Sequence, residues 1–269
     1  MWARIRSNVL DLKLITIFET RRLVKSPKFV VSTLFILITQ YTYLVFAAEA
    51  SSLQSVLKGS VGYENGIMRA FVFIGSFLTS LLLIVFLTDL ISGDRSLEFV
   101  WGATSDRWSI ILGKLLAVLL GISLVLIMLD CELILVFWLE TSQMISLSNQ
   151  IMAIGLLIFF TWVAACFIIL CCLFGRKMNS PGLGTQGPLF VFFVIPYLVY
   201  ASTLYGFIDD MLLKTSYIYY LSAVTDFLLP PITEKVTQWN DYGFALILLV
   251  EIGIISFILS ILLFSYLEE

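Results

Sequence analysis

The sequence contains no histidine, and only 13% of its 269 residues are charged. The missing histidine removes the commonest general base, together with Ser-His-Asp and Cys-His nucleophile systems and metal sites that use imidazole. The scarcity of charge is equally informative, because a soluble domain carries about 25% charged residues and this chain is 60% hydrophobic. A soluble fold of this size cannot hide so much apolar surface from water. The composition therefore predicts a protein of the lipid bilayer.

Basic tracts and paired cysteines are also scarce. The net charge is -3 and no run of Lys and Arg could follow a phosphate backbone, so nucleic acid is not an expected partner. The cysteines lie in apolar runs without C-x-x-C spacing, which is typical of free thiols: Cys131, Cys166, Cys171 and Cys172. Met128 and Cys131 share a helix face, as soft-metal ligands do, but both residue types are ordinary in membrane helices. We therefore expect no metal and no cofactor in this chain.

A run of about 18 or more apolar residues is long enough to cross a bilayer, and six segments of the chain meet that criterion. They are 29–48, 67–90, 110–139, 151–174, 188–208 and 242–266. No internal repeat or low-complexity tract separates them. The sequence thus predicts an all-α membrane protein with six transmembrane helices in a single domain, 1–269.

The distribution of Lys and Arg predicts the orientation of these helices. Twelve of the 16 basic residues flank the same ends of the predicted spans. They are Arg4, Arg6, Lys13, Arg21, Arg22, Lys25, Lys28, Arg95, Arg107, Lys114, Arg176 and Lys177. Because basic loops stay in the cytoplasm, we expect both termini there, in a multi-pass protein of the cell membrane.

Residues 1–27 have the pattern of an amphipathic helix on the inner membrane surface. Apolar or small residues recur at helical spacing between charged ones, namely Trp2, Ile5, Val9, Leu12 and Thr16. Ser26-Pro27 would end this helix. On the other side, the external connection 209–241 contains the apolar stretch Tyr217–Leu229, which we expect to dip into the outer leaflet or to pack on the spans.

Three acidic residues fall in the outer half of the predicted spans. Glu251 lies about nine residues into the last span, roughly 13 Å at 1.5 Å per residue, and Asp130 and Glu132 lie near the outer boundary. Such carboxylates usually face the protein interior or a watery path, so they could line an exit path for cationic or amphipathic cargo. Alternatively, Asp130 and Glu132 meet headgroup water, which is the simpler interpretation for them, and Glu251 accepts a hydrogen bond from a neighbouring helix.

The predicted cytoplasmic connection 92–109 mixes charged and apolar residues. Asp94 and Glu98 stand beside the apolar run Phe99–Trp101. A short amphipathic helix that presses into a partner's groove would need such a run. A helix end that anchors Trp101 and Trp108 at the membrane interface would need it equally.

This connection resembles the loop after the second span in permease subunits of type 2 ABC transporters. The pair Asp94-Arg95 matches the opening of that loop, while Arg107 and then Gly113-Lys114 match its close. The stretch Ile17–Arg22, followed by Lys25-Ser26-Pro27, is similar to the family's surface helix and its entry to the first span.

The resemblance implies a half-transporter. Two permeases, either copies of this chain or this chain with a homologous permease, would bind two ATPase subunits that carry ATP and Mg. The docking helix would be Asp94–Trp101, and the implied coupling residues are Asp94, Arg95, Glu98, Trp101 and Arg107. The absence of a large external domain favours export, with peptides, lipids, drugs or metal-centre assembly open as cargo.

The chain itself carries no P-loop, which reads G-x-x-x-x-G-K-[ST]. Its one Gly-Lys pair, Gly113-Lys114, has Trp108 where the first glycine is required and Leu115 where Ser or Thr is required. ATP hydrolysis is therefore expected on a partner, and this chain is not expected to be an enzyme. Two alternatives stay open: an ATP-independent transporter or channel centred on Glu251, and a non-transporting membrane anchor of an ATPase.

Overall fold

The computed structural model describes residues 2–58, 60–92, 107–142, 144–180, 182–195, 198, 224–225 and 239–266. Every regular element within these ranges is helical, which confirms the predicted all-α class. The helices are α1 (Trp2–Val24), α2 (Pro27–Lys58), α3 (Ser60–Ser92), α4 (Arg107–Thr141), α5 (Leu147–Lys177), α6 (Gly182–Leu189) and α7 (Trp239–Tyr266). A π-helical turn, Phe190–Val194, continues α6.

Among the described residues, five helices are long and apolar enough to cross a membrane, which is typical of a multi-pass membrane protein. The apolar segments are Pro27–Ala47, Glu64–Thr88, Leu112–Thr141, Leu147–Lys177 and Gly243–Leu263. Each overlaps a predicted span. The predicted span 188–208 begins within a shorter apolar helix, Gly182–Val194, and most of its remainder lies outside the described residues. The sixth span, like the external segment 209–241, therefore stays a prediction.

Helices α3 and α5 run parallel and form the centre of the bundle. The Thr161 hydroxyl of α5 lies 3.4 Å from the Thr79 hydroxyl of α3, at a separation of 82 residues. Near the far ends of the same helices, Thr88 Oγ1 lies 3.8 Å from Cys172 Sγ, at a separation of 84 residues. Because the difference in residue number between the paired residues hardly changes along the helices, α3 and α5 lie side by side in the same direction. Their corresponding ends therefore lie at the same level of the bundle.

Helices α2 and α7 lie at the periphery. In the apolar segment of α2, 28% is buried inside the protein, and in that of α7 22% is buried. The corresponding share is 67% in α3 and in α5. The Phe29 ring packs 5.3 Å from Phe86, which places the start of α2 beside the end of α3. We call this the basic end, because Lys28, Arg176 and Lys177 lie at the helix ends gathered there.

Helix α1 packs along α4 and runs in the same direction. A Cβ placed on Gly113 would lie 2.8 Å from Ile15 Cγ2, and one on Gly121 would lie 2.6 Å from Leu23 Cδ2. The predicted N-terminal helix is thus present. However, Thr16, which we expected at the membrane surface, is 9% exposed and faces α4 instead. The placement of α1 on the membrane surface stays a prediction.

The glycine-rich segment after α5 forms a helix, not the flexible loop that its composition suggests. A Cβ on Gly184 would lie 3.0 Å from the Cys172 Cα, so α6 approaches the backbone of α5 closely. The turn between them includes Asn179 with φ 52°, a left-handed conformation that asparagine tolerates. Packing against α5 therefore stabilises α6, in spite of the poor helix propensity of its glycines.

Replacing Gly253 by Ala should loosen α7 from α5. A Cβ there would lie 2.6 Å from Trp162 Cζ3 and 2.8 Å from its Cη2, so the indole must move out of its packed position. We expect the free energy of unfolding, measured by detergent titration in micelles, to fall by about 2 kcal/mol. Gly243→Ala is the matched control on the same helix, because its Cβ would meet nothing within 4 Å. Equal effects of the two substitutions would contradict the described packing.

Candidate functional site

A polar cluster joins α3 and α5 at the end of the bundle opposite the basic end. Glu64 Oε1 accepts hydrogen bonds from the Ser146 backbone N–H at 3.0 Å and from Asn149 Nδ2 at 2.9 Å. Asn149 Nδ2 also lies 3.3 Å from Asn65 Oδ1. Because Ser146 caps α5, the Glu64 carboxylate also lies at a helix N-terminus, where negative charge is favourable.

Asp130 extends this cluster to α4. Gln150 Nε2 donates a hydrogen bond of 2.8 Å to Asp130 Oδ2. Asp130 Oδ1 and Glu132 Oε2 are buried and have no hydrogen-bond partner in the part of the chain that the structure describes. Asp130 therefore has a protein partner, which the simple headgroup-water interpretation did not foresee.

Glu251 does not join the other two acids. It is exposed on α7, while Gly253, Ser256 and Ser260 lie on the buried side of that helix. Among the described residues, no group of three His, Cys, Asp or Glu side chains comes together in a way that could hold a metal. The three acids thus do not form one converging acidic site within the described ranges.

Buried hydroxyl side chains lie on α3 and α5 in the middle of the bundle, and those of Thr79 and Thr161 meet across the seam between the two helices. Thr79 donates to the Gly75 carbonyl at 2.8 Å, Ser80 to that of Ser76 at 2.7 Å, and Thr161 to that of Leu157 at 2.6 Å. These residues are at most 3% exposed. Each hydroxyl proton is used on the residue's own helix, while the hydroxyl oxygens keep acceptor capacity. The seam is therefore polar and can accept hydrogen bonds when the helices separate.

Gln40 is the most unusual polar residue of the bundle, and the sequence-based predictions missed it. It is 0% exposed in the middle of the apolar segment of α2, and neither Nε2 nor Oε1 has a partner among the described residues. The Thr33 hydroxyl on the same side of α2 is also buried without a described partner. Buried polar groups are normally hydrogen-bonded, so Gln40 calls for a functional explanation. A lone amide in an uncharged span was a signal available in the sequence.

The predicted coupling residues lie mostly outside the described residues. This holds for Asp94, Arg95, Glu98 and Trp101, whereas Arg107 is the first residue of α4. Just beyond it, Thr16 Oγ1 lies 3.4 Å from the Gly113 carbonyl oxygen, and Lys114 is 5% exposed. The start of α4 is thus held against α1 at the point where the connection 93–106 ends.

Comparison with known protein families found no family model that matches this chain, and comparison with curated proteins found no similar sequence. The similarity to type 2 ABC permeases accordingly depends on the sequence motifs quoted above.

Proposed function

We propose that this chain is the transmembrane permease subunit of an ATP-binding-cassette exporter in the cell membrane. Two such permeases, identical or homologous, would form the cargo path, and two separate ATPase subunits would bind ATP and Mg. The observation that carries the proposal is the connection between α3 and α4, whose sequence pattern matches a coupling loop. The absence of a P-loop in the chain is consistent with an ATPase on another polypeptide.

The helices that flank this connection are suited to transmit motion. α3 has 33 residues and α4 has 35, so each is a continuous rod across the whole bundle. At its start α4 is packed on α1, so the two helices would move together if a partner displaced the connection. A rigid element with two arrangements is the physical requirement for coupling distant sites.

Such a motion would break the polar contacts at the opposite end of the bundle. The hydrogen bonds of Glu64 to Asn149 and of Asp130 to Gln150 tie α3 and α4 to α5. Separation of α3 and α4 from α5 would expose the hydroxyl seam to water or cargo. Gln40 lies on α2, which packs on α3 and α4, so its amide would be exposed if α2 also moved away from those helices. In this proposal Asp130, Glu132 and Gln40 contribute to the path, and hydrogen-bonding or cationic groups of the cargo would meet them.

The two alternative functions gain less support from the described residues. An ATP-independent transporter centred on Glu251 needs polar groups that converge on that carboxylate, and Glu251 lies on the open side of α7. A non-transporting anchor would use the same coupling connection. The anchor does not explain the buried unpaired amide of Gln40, which favours a moving bundle.

Simultaneous replacement of Glu98 and Trp101 by Ala tests the proposal. We expect the tagged chain, purified from its native membranes in mild detergent, to bring down a P-loop ATPase that mass spectrometry identifies. The double variant should lose that partner, because it removes both the charge and the apolar anchor of the docking helix.

The matched control is the pair Trp138→Ala and Glu140→Ala. Both side chains are exposed near the end of α4 that lies away from the connection. This pair should leave co-purification unchanged. Recovery of the chain alone, even after cross-linking, would reject the proposed function.

A further inference from the structure

Helix α7 has an exposed side that lies directly opposite its packed side. At about 100° per residue, the centre of the exposed side is half a turn away from the side that holds the buried residues Ala245, Leu249, Gly253, Ser256 and Ser260. The exposed side consists of Phe244, Ile247, Glu251, Ile254 and Ile258, which we call the α7 stripe. Its four apolar members are 46% to 60% exposed.

The α7 stripe has the spacing of a helix that pairs with another helix. Its members follow one another at intervals of three, four, three and four residues, which is the a/d pattern of a coiled coil. Glu251 takes the central a position, and isoleucine fills both d positions. A single polar residue at an a position sets the register and the number of the paired helices. The pattern therefore indicates a specific partner helix.

Glu251 shows that lipid is not a suitable neighbour for this stripe. It is exposed near the middle of the apolar segment Gly243–Leu263, which is long enough to cross a membrane. Its carboxyl group forms no hydrogen bond or ion pair with another residue of the described ranges. A carboxylate that faces acyl chains at this depth is costly, so a protein surface with a polar group at the same depth has to cover it.

A second copy of this chain supplies such a surface. In a pair related by a two-fold axis along the membrane normal, both copies of α7 run in the same direction, and each residue of the stripe meets the same residue of the other copy. The two Glu251 side chains then lie at equal depth by symmetry. Two facing carboxyl groups can share one proton, so that one donates a hydrogen bond to the other.

We propose that two copies of this chain pair in the membrane through the α7 stripe, with the two Glu251 carboxyl groups hydrogen-bonded to each other at its centre. The inference rests on the proposed function for the presence of a second permease, and it selects an identical copy over a homologous one. The pairing itself requires no ATPase, because it needs only the chain and a bilayer.

Disulfide cross-linking of the full-length chain tests this geometry. Ile258→Cys and, separately, Leu259→Cys are introduced into a background that lacks the four native cysteines, and each protein is reconstituted into phospholipid vesicles with a mild oxidant. The two positions are adjacent and similarly exposed, at 50% and 44%, but only Ile258 belongs to the stripe. Because a disulfide needs Cα atoms within about 7 Å, we expect Ile258→Cys to form a covalent dimer about tenfold faster than Leu259→Cys.

Two substitutions of Glu251 test the hydrogen bond. Energy transfer between chains that carry donor or acceptor fluorophores at their C-termini measures the dimer while added lipid dilutes the protein. Glu251→Gln should preserve the affinity, because an amide hydrogen-bonds to its counterpart across paired helices. Glu251→Leu should raise the Kd of the dimer about tenfold, although it makes the stripe more apolar. Thermal unfolding of each variant confirms that it is folded.

Three results would overturn the proposal. Equal cross-linking at the two positions, or none, would show that the α7 stripe is not the contact between copies. An unchanged Kd for Glu251→Leu would remove the carboxyl group from that contact. A fluorophore at position 258 that a lipid-borne quencher does not reach in the diluted, monomeric chain would assign the stripe to another segment of the same chain. Co-purification of an ATPase is measured separately, so the proposed function and this pairing can fail independently.

Discussion

Replacing Gln40 by Leu should stabilise the protein, although Gln40 is completely buried. The substitution roughly preserves volume and removes an amide whose Nε2 and Oε1 have no described partner. An unpaired buried polar group costs about 1–3 kcal/mol, and neighbouring apolar side chains can pack against leucine instead. We expect the free energy of unfolding in mixed detergent micelles to rise by about 2 kcal/mol.

Gln150→Leu is the matched control, with the opposite sign. Gln150 donates its hydrogen bond of 2.8 Å to Asp130 Oδ2, so its loss leaves that carboxylate oxygen unpaired as well. We expect a fall of about 2 kcal/mol. A fall for both variants would show that Gln40 has a stabilising partner and would remove it from the proposed path.

The same Gln40→Leu protein should lose transport function. A path residue that is unpaired in the packed bundle gains partners when the bundle opens, so the amide favours opening and leucine opposes it. In a complex with Gln40→Leu permease, we expect the permease to have less influence on the rate of ATP hydrolysis by the ATPase subunits than the unsubstituted permease has. This loss should occur although the substituted permease is more stable. Such opposite effects on stability and activity are characteristic of functional residues.

Gly175→Ala should destabilise the protein more than Gly253→Ala does. A Cβ at Gly175 would lie 2.9 Å from the Ser180 carbonyl oxygen and 3.0 Å from the Gly184 nitrogen. Both neighbours are backbone atoms that cannot rotate away, and the Ser180 N–H donates to the Gly175 carbonyl at 2.8 Å in the same turn. The turn between α5 and α6 must therefore shift, and we expect the free energy of unfolding to fall by about 3 kcal/mol.

Gly155→Ala provides the comparison on the same helix. A Cβ at Gly155 would meet nothing within 4 Å, so the substitution should raise stability by roughly 0.5–1 kcal/mol through the better helix propensity of alanine. Detergent titration followed by circular dichroism measures both variants. A smaller loss at Gly175 than at Gly253 would contradict the close approach of α6 to α5.

Five of the predicted spans were recoverable from sequence because long uncharged runs have few alternatives to membrane-crossing helices. The ends of the helices could not be recovered from sequence. The predicted span 67–90, for example, belongs to a helix that begins at Ser60 and ends at Ser92. Helix continuation beyond the apolar core is set by capping and packing, which hydropathy does not record. The helix at Gly182–Leu189 was missed for a related reason, since its glycines pack on Cys172 of α5.

The polar residues show a similar limit. Sequence identified Asp130 and Glu132 as acids within a span, but the hydrogen bond from Gln150 depends on the hairpin between α4 and α5. Helix α1 was predicted from its periodicity, yet periodicity could not decide which of its two apolar sides meets protein. Leu23 and Thr16 pack on α4, and Leu14 and Phe18 do not.

The most direct test of the central claim is ATP hydrolysis by the material that co-purifies with the tagged chain. The account predicts that this material hydrolyses ATP although the chain has no P-loop, and that the Glu98→Ala and Trp101→Ala double variant abolishes the activity in the eluate. An eluate that holds the folded chain but no ATPase activity, under gentle and cross-linked conditions alike, would contradict it.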